Sequence, residues 1–95
     1  MAESSGLFRG KSLRVIAVDV AEGYISVNPL FLKKFDKDMI KELFEHLAKA
    51  MTLTRNEKID LTNQASVRTR NMKLQRLHNA TIVIRNIARE KRIPL

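Results

Sequence analysis

The feature that most constrains this fold is a stretch of 29 residues, from Leu61 to Arg89, without a single acidic side chain. Asp60 and Glu90 bound this acid-free segment, and apolar residues recur at helical spacing in its second half. A basic amphipathic helix needs an apolar surface to pack against and an acidic surface to face. The positive charges within the segment are Arg68, Arg70, Lys73, Arg76, Arg85 and Arg89.

The net charge of +8 on 95 residues is concentrated in the second half of the chain. Residues 1–51 contain eight Lys or Arg against seven Asp or Glu, which gives +1, whereas residues 52–95 contain ten against three, which gives +7. This asymmetry indicates an acidic partner, most simply a phosphate backbone. Anionic lipid or an acidic protein would be attracted by the same positive charge.

Length and composition predict a flexible tail at residues 1–11 and a single globular domain at residues 12–95. Aromatic residues are scarce, so aliphatic side chains must fill the core, and so short a chain favours oligomerisation. The absence of cysteine excludes disulfides and thiolate metal sites. No signal peptide and no membrane-spanning apolar run is present, and we therefore predict a cytoplasmic protein.

The first elements of the domain read as a β-hairpin over residues 13–27. Residues 13–20 are mostly apolar at both alternating sets of positions, which is typical of a strand that is covered on more than one side. Gly23 can adopt the positive φ that a hairpin turn requires, and residues 24–27 would form the returning strand. The sequence therefore predicts an α+β fold.

Two main helices are predicted after the hairpin. Asn28 and Pro29 suit the start of a short helical turn, and Asp36 suits the N-cap of a helix over about residues 36–51. Thr54 and Glu57 have the spacing of a capping box, which predicts a second helix over about residues 54–90. Because the predicted connection is short, the two helices should be antiparallel neighbours.

The second helix presents two apolar faces to its surroundings. At about 100° per residue, Leu61, Ala65 and Met72 lie on one side, and a later stripe lies roughly 160° away. The helix therefore either bends near residues 66–71 or contacts two partners, with its first half in the domain's own core. The β-branched run at residues 81–84 also permits a strand. The later stripe consists of Leu74, Leu77, Thr81, Ile84 and Ala88.

The basic residues are the strongest chemical signal in the chain. Guanidinium groups bind phosphate and carboxylate bidentately, and the nearby Asn and Gln side chains could bond base edges. Residues 52–95 contain no aromatic side chain for base stacking, so contacts should be directed at phosphates and sensitive to salt. A solvated face of ordinary positive charge is the alternative. The candidate binding residues are Arg68, Arg70, Lys73, Arg76, Arg85, Arg89 and Arg92.

A second candidate surface is apolar. Ile82 and Val83 fall away from the later stripe on the wheel, so a helix over these residues would be apolar on nearly two sides. Exposed apolar patches on small domains often mark interfaces. We therefore predict self-association, most simply a homodimer, through Leu77, Ile82, Val83 and Ile84.

These patterns predict a small, basic, non-enzymatic protein that binds DNA or RNA phosphates through its C-terminal helix, in an accessory or regulatory role. The alternative is an adaptor or assembly subunit whose long helix binds a protein partner or self-associates. His46 and His78 have no cysteine or obvious carboxylate pair nearby in sequence. The sequence therefore predicts no catalytic residue, no cofactor and no metal site.

Overall fold

The computed structural model describes residues 7–8 and 11–95, and within this part the chain is mostly helical. Two short strands, β1 (Leu7–Phe8) and β2 (Lys11–Ser12), pair antiparallel ahead of the first helix. The predicted tail at residues 1–11 otherwise lies outside the described residues. Four helices follow: α1 (Leu13–Glu22), α2 (Pro29–Leu32), α3 (Lys37–Arg55) and α4 (Gln64–Lys91).

The predicted α+β class and the hairpin at residues 13–27 are wrong, because residues 13–22 form helix α1. Ser12 begins this helix, since its hydroxyl accepts a hydrogen bond from the Val15 amide at 3.2 Å. The apolar run contains a helical stripe as well as an alternating one, and burial of the helical stripe outweighs the strand preference of Val and Ile. The buried residues of α1 are Leu13, Ile16, Ala17, Val20 and Ala21.

Gly23 adopts the positive φ that the sequence predicted, at 86°, but it ends a helix instead of turning a hairpin. Its amide donates to the Val20 carbonyl at 3.1 Å, and the Tyr24 amide donates to the Asp19 carbonyl at 2.9 Å. This pair of bonds is a Schellman motif, which satisfies the last carbonyls of α1. Residues 24–27 then run without strand pairing.

We expect Gly23→Ala to lower the free energy of unfolding by about 1–2 kcal/mol, because an L-residue is strained at this φ. The added Cβ would also lie 3.0 Å from the guanidinium carbon of Arg76, so that side chain must move. Urea denaturation followed by circular dichroism measures the loss. Ser26→Ala, an exposed change in the next segment, is the control. Equal stability of the two variants would contradict the assignment.

The predicted starts of α2 and α3 are confirmed. The Asn28 side chain accepts from the Phe31 amide at 2.8 Å, and the Asp36 carboxylate accepts from the Met39 amide at 2.8 Å. The predicted end of α3 at residue 51 and the capping box at Thr54 are wrong. Helix α3 continues to Arg55 because its hydrogen bonds continue through Thr54.

Helix α4 begins at Gln64 rather than near residue 54. The Asn63 side chain accepts from the amides of Ala65 and Ser66 at 3.0 and 3.2 Å, which makes it the N-cap. The helix is continuous across residues 66–71 and 81–84, so neither the predicted break nor the alternative strand occurs. At about 1.5 Å per residue its 28 residues span about 42 Å, close to the 46 Å length of the protein.

The core lies where α1, α3 and α4 pack against one another. Helix α4 contributes the later stripe predicted from the sequence, and Leu77 and Ile84 are fully buried in it. In contrast, Leu61 is 73 % exposed and Met72 is 46 % exposed. The prediction that the first half of the segment belongs to the core and the second half meets a partner is therefore reversed. The buried residues of α4 are Leu77, Ala80, Thr81, Ile84 and Ala88.

Candidate functional site

Two of the seven candidate basic residues are engaged with the end of α1. Arg76 donates from Nη1 to the carbonyl oxygen of Ala21 at 2.9 Å, and the Lys73 ammonium lies 3.5 Å from the Glu22 carboxylate. Cations are favourable at a helix C-terminus, where carbonyl groups concentrate negative partial charge. Lys73 and Arg76 therefore stabilise the packing of α4 on α1 and are poorly placed for an external ligand.

Arg85 and Arg70 are partly engaged by the fold. The Arg85 guanidinium lies 5.5 Å from the ring centre of Phe44 on α3, which is a cation–π contact. Arg85 nevertheless remains exposed. The Nε of Arg70 is buried without a hydrogen-bond partner among the described residues, in a shallow depression that Ile59 and Ala65 also line.

Arg68, Arg89 and Arg92 are exposed and form no ion pair within the described part of the chain. Arg92 ends α4 in the left-handed conformation, with φ 58°, and its amide donates back to the last turn. Glycine usually occupies such a position, since a side chain there is strained. A strained, exposed arginine at the end of the basic helix is consistent with a binding role.

The solvent side of α4 carries a continuous row of exposed residues, which we name the outer face. At about 100° per residue it lies about 160° from the buried positions of the helix. The row is spaced at three and four residues and contains no acidic side chain. It extends over about 32 Å at about 1.5 Å per residue. The outer face consists of Arg68, Asn71, Gln75, Asn79, Ile82, Asn86 and Arg89.

Two amides in the middle of the outer face are joined to each other. The Gln75 side chain donates from Nε2 to the Asn79 Oδ1 at 3.2 Å. Gln75 Oε1 and the Asn79 amino group form no hydrogen bond with any other described residue. The pair therefore presents an acceptor and a donor to solvent at one place on the helix.

The N-terminal half of α4 stands clear of the core. None of residues 64–76 is a buried residue, and Lys73 and Arg76 contact the end of α1 there. An open groove of about 520 Å³ lies beside the outer face. Exposed Leu61 and Met72 and half-buried Val67 form its apolar part.

The turn before α4 contains the last acidic residue that precedes the acid-free segment. The Thr62 hydroxyl and the Thr62 amide donate to the Asp60 carboxylate at 2.6 and 2.9 Å, and these hydrogen bonds lower the pKa of Asp60. The Asp60 carboxylate thus remains ionised, and it binds Thr62 in its own turn rather than a neighbouring arginine.

The four predicted self-association residues do not share a surface. Leu77 and Ile84 are fully buried in the protein's own core, and Val83 is half-buried against it. Only Ile82, at 41 % exposure, is accessible, and it belongs to the outer face. On the helical wheel Ile82 and Val83 already lie away from Leu77 and Ile84, but the sequence alone could not show which of these sides the fold buries.

Neither histidine lies in a catalytic or metal-binding arrangement. His46 lies 3.3 Å from Glu42 one turn earlier on α3, and His78 is exposed on α4. Residues 7–8 and 11–95 contain no group of three His, Cys, Asp or Glu side chains arranged to hold a metal ion. Among the helices described, none combines the length and apolar character needed to cross a membrane.

Comparison with protein-family models, with curated proteins and with solved structures found no match to this chain.

Proposed function

We propose that this protein is a small, non-enzymatic nucleic-acid-binding protein that contacts phosphates through α4. The observation that carries the proposal is the outer face. Its seven residues follow one another along one side of α4, and none of them is acidic. Arg68 and Arg89 lie at its two ends, and Arg85 lies beside it. Phosphate oxygens are the ligands that guanidinium groups bind bidentately.

An ordinary solvated helix face would have a different charge pattern. Exposed helices commonly place acidic and basic residues three or four positions apart, where each pair contributes about 0.2–0.5 kcal/mol. In α4 the first acidic residue is Glu90, in the last turn, so the arginines of the outer face have no such partners within the helix. This uncompensated field supports an external polyanion.

A protein partner is the second candidate, and the groove of Leu61, Val67 and Met72 favours it. An adaptor would bury these apolar side chains in a complementary surface on its partner. This function predicts association that persists when the arginines are changed but is lost when Leu61 and Met72 become polar. A cytoplasmic location and self-association stay predictions from the sequence.

The test is fluorescence anisotropy of the purified protein with labelled duplex DNA, single-stranded DNA and duplex RNA. Arg68, Arg85 and Arg89 are the exposed cations on or beside the outer face. If they neutralise about three phosphates, affinity should fall about 40-fold between about 50 and about 200 mM salt. Nuclease-treated protein is used throughout, because co-purifying nucleic acid would mask binding. Absence of binding to all three probes at the lower salt concentration would exclude the proposal.

A further inference from the structure

We propose that the outer face of α4 reads base edges in the major groove of duplex DNA, an inference that rests on the proposed function. Binding to phosphates alone requires cations at suitable spacing and no particular side chain between them. Between Arg68 and Arg89, however, the outer face consists of four amides and one isoleucine. The amides are Asn71, Gln75, Asn79 and Asn86.

The three asparagines are unexpected at these positions on structural grounds alone. Asn71, Asn79 and Asn86 are exposed in the interior of a long helix, where packing does not select the residue. Asparagine is a weaker helix former than lysine, arginine, glutamine or glutamate, because its side chain competes for backbone hydrogen bonds. None of the three caps α4, whose N-cap is Asn63. Their amide groups therefore indicate a ligand with both donors and acceptors.

Base edges in the major groove offer that combination. Adenine presents an N7 acceptor and an N6 amino donor, which Asn and Gln bind bidentately, and guanine presents two acceptors to arginine. The hydrogen-bonded pair of Gln75 and Asn79 keeps the Gln75 Oε1 acceptor and the Asn79 amino group available on the same side of the helix. Ile82 supplies an apolar contact of the kind that a thymine methyl group accepts.

The position of α4 in the fold also suits a groove. A major groove about 12 Å wide admits a single helix, provided that no other element projects beside its reading side. The outer face points away from the core, and residues 64–76 include no fully buried position. Arg85 is exposed at the edge of the outer face, where one of the two backbones that flank the groove would pass.

Other nucleic acids fit this surface less well. The major groove of duplex RNA is too narrow for a helix, and single strands are bound largely by stacking on aromatic side chains. Helix α4 contains no aromatic residue. An acidic protein surface would pair with the arginines but would leave the row of amides without matched partners.

The test is selection of bound duplexes from a library with a randomised centre, using the full chain at moderate salt. The expected result is an enriched sequence that the protein prefers over a scrambled duplex. Asn79→Ala should reduce that preference by about fivefold or more while the salt dependence is unchanged. Thr69→Ala, an exposed change on α4 outside the outer face, is the control and should leave the preference intact.

Each other result has a definite meaning. Salt-dependent binding of duplex DNA without any enriched sequence would overturn base reading and leave the proposed function standing. Tighter binding of RNA than of the selected DNA would also overturn base reading alone. Failure to bind any nucleic acid would overturn both. Circular dichroism of each variant confirms that α4 is intact, since alanine favours the helix.

Discussion

Ile84→Asp will unfold the protein, whereas Ile82→Asp, two residues earlier on the same helix, will leave it folded. Ile84 has no exposed surface and lies in the core formed by α1, α3 and α4, whereas Ile82 is 41 % exposed on the outer face. Replacing Ile84 removes buried apolar atoms and places an unpaired carboxylate in the core, which costs at least about 5 kcal/mol. That cost reaches the lower end of the total stability of native proteins, which is about 5–15 kcal/mol.

Circular dichroism and thermal unfolding of the two purified variants test whether Ile84→Asp is unfolded and Ile82→Asp is folded. Both substitutions add the same charge to the same helix, so a difference between them reports burial rather than composition. Ile82→Asp should also weaken nucleic-acid binding, because it introduces an acidic residue into the outer face. If Ile84→Asp folded with native stability, the assignment of the core would be wrong.

Reversing two charges of the outer face will abolish most nucleic-acid binding without unfolding the protein. The variant Arg68→Glu/Arg89→Glu removes two exposed cations that form no ion pair in the described part of the chain. Loss of two phosphate contacts should make the slope of log affinity against log salt less steep by about 1.8. Repulsion from the new carboxylates should lower affinity at least about tenfold more.

The matched control is Lys33→Glu/Lys34→Glu, because both lysines are exposed in the segment between α2 and α3. Each variant has two substitutions, and each substitution lowers the charge by two, so the net charge falls from +8 to +4 in both variants. If phosphates bind to α4, the arginine variant loses far more affinity than the lysine variant. Equal losses would show that the overall charge of the protein, and not the outer face, attracts the nucleic acid.

Local chemistry allowed several helix ends to be read from the sequence. Asn28 and Asp36 cap helices as predicted, since an N-cap depends only on a side chain and amides two or three residues away. Gly23 has the predicted positive φ because glycine adopts it without a steric penalty. The capping box at Thr54 failed for the opposite reason. Its spacing is correct, but Thr54 lies inside α3, and the hydrogen bonds of α3 continue through that residue.

The hairpin at residues 13–27 was wrong because a short apolar run satisfies two periods at once. Ile16, Val18 and Val20 alternate along residues 13–20, and the apolar residues at 13, 16, 17 and 20 recur at helical spacing, so the same run fits both periods. Only neighbouring elements decide between these readings. Helix α1 packs against both α3 and α4, and Leu13, Ile16 and Val20 fill the space between them.

The amino-acid sequence by itself determined that residues 61–89 are basic, free of acidic side chains and largely helical, with two apolar sides. Charge and periodicity are properties of residue order, so they survive any error in topology. Which side is buried was decided only by the tertiary structure. Helices α1 and α3 both pack against α4, and Leu77 and Ile84 are buried in the core that the three helices form. Leu61 and Met72, together with the outer face, are left to solvent.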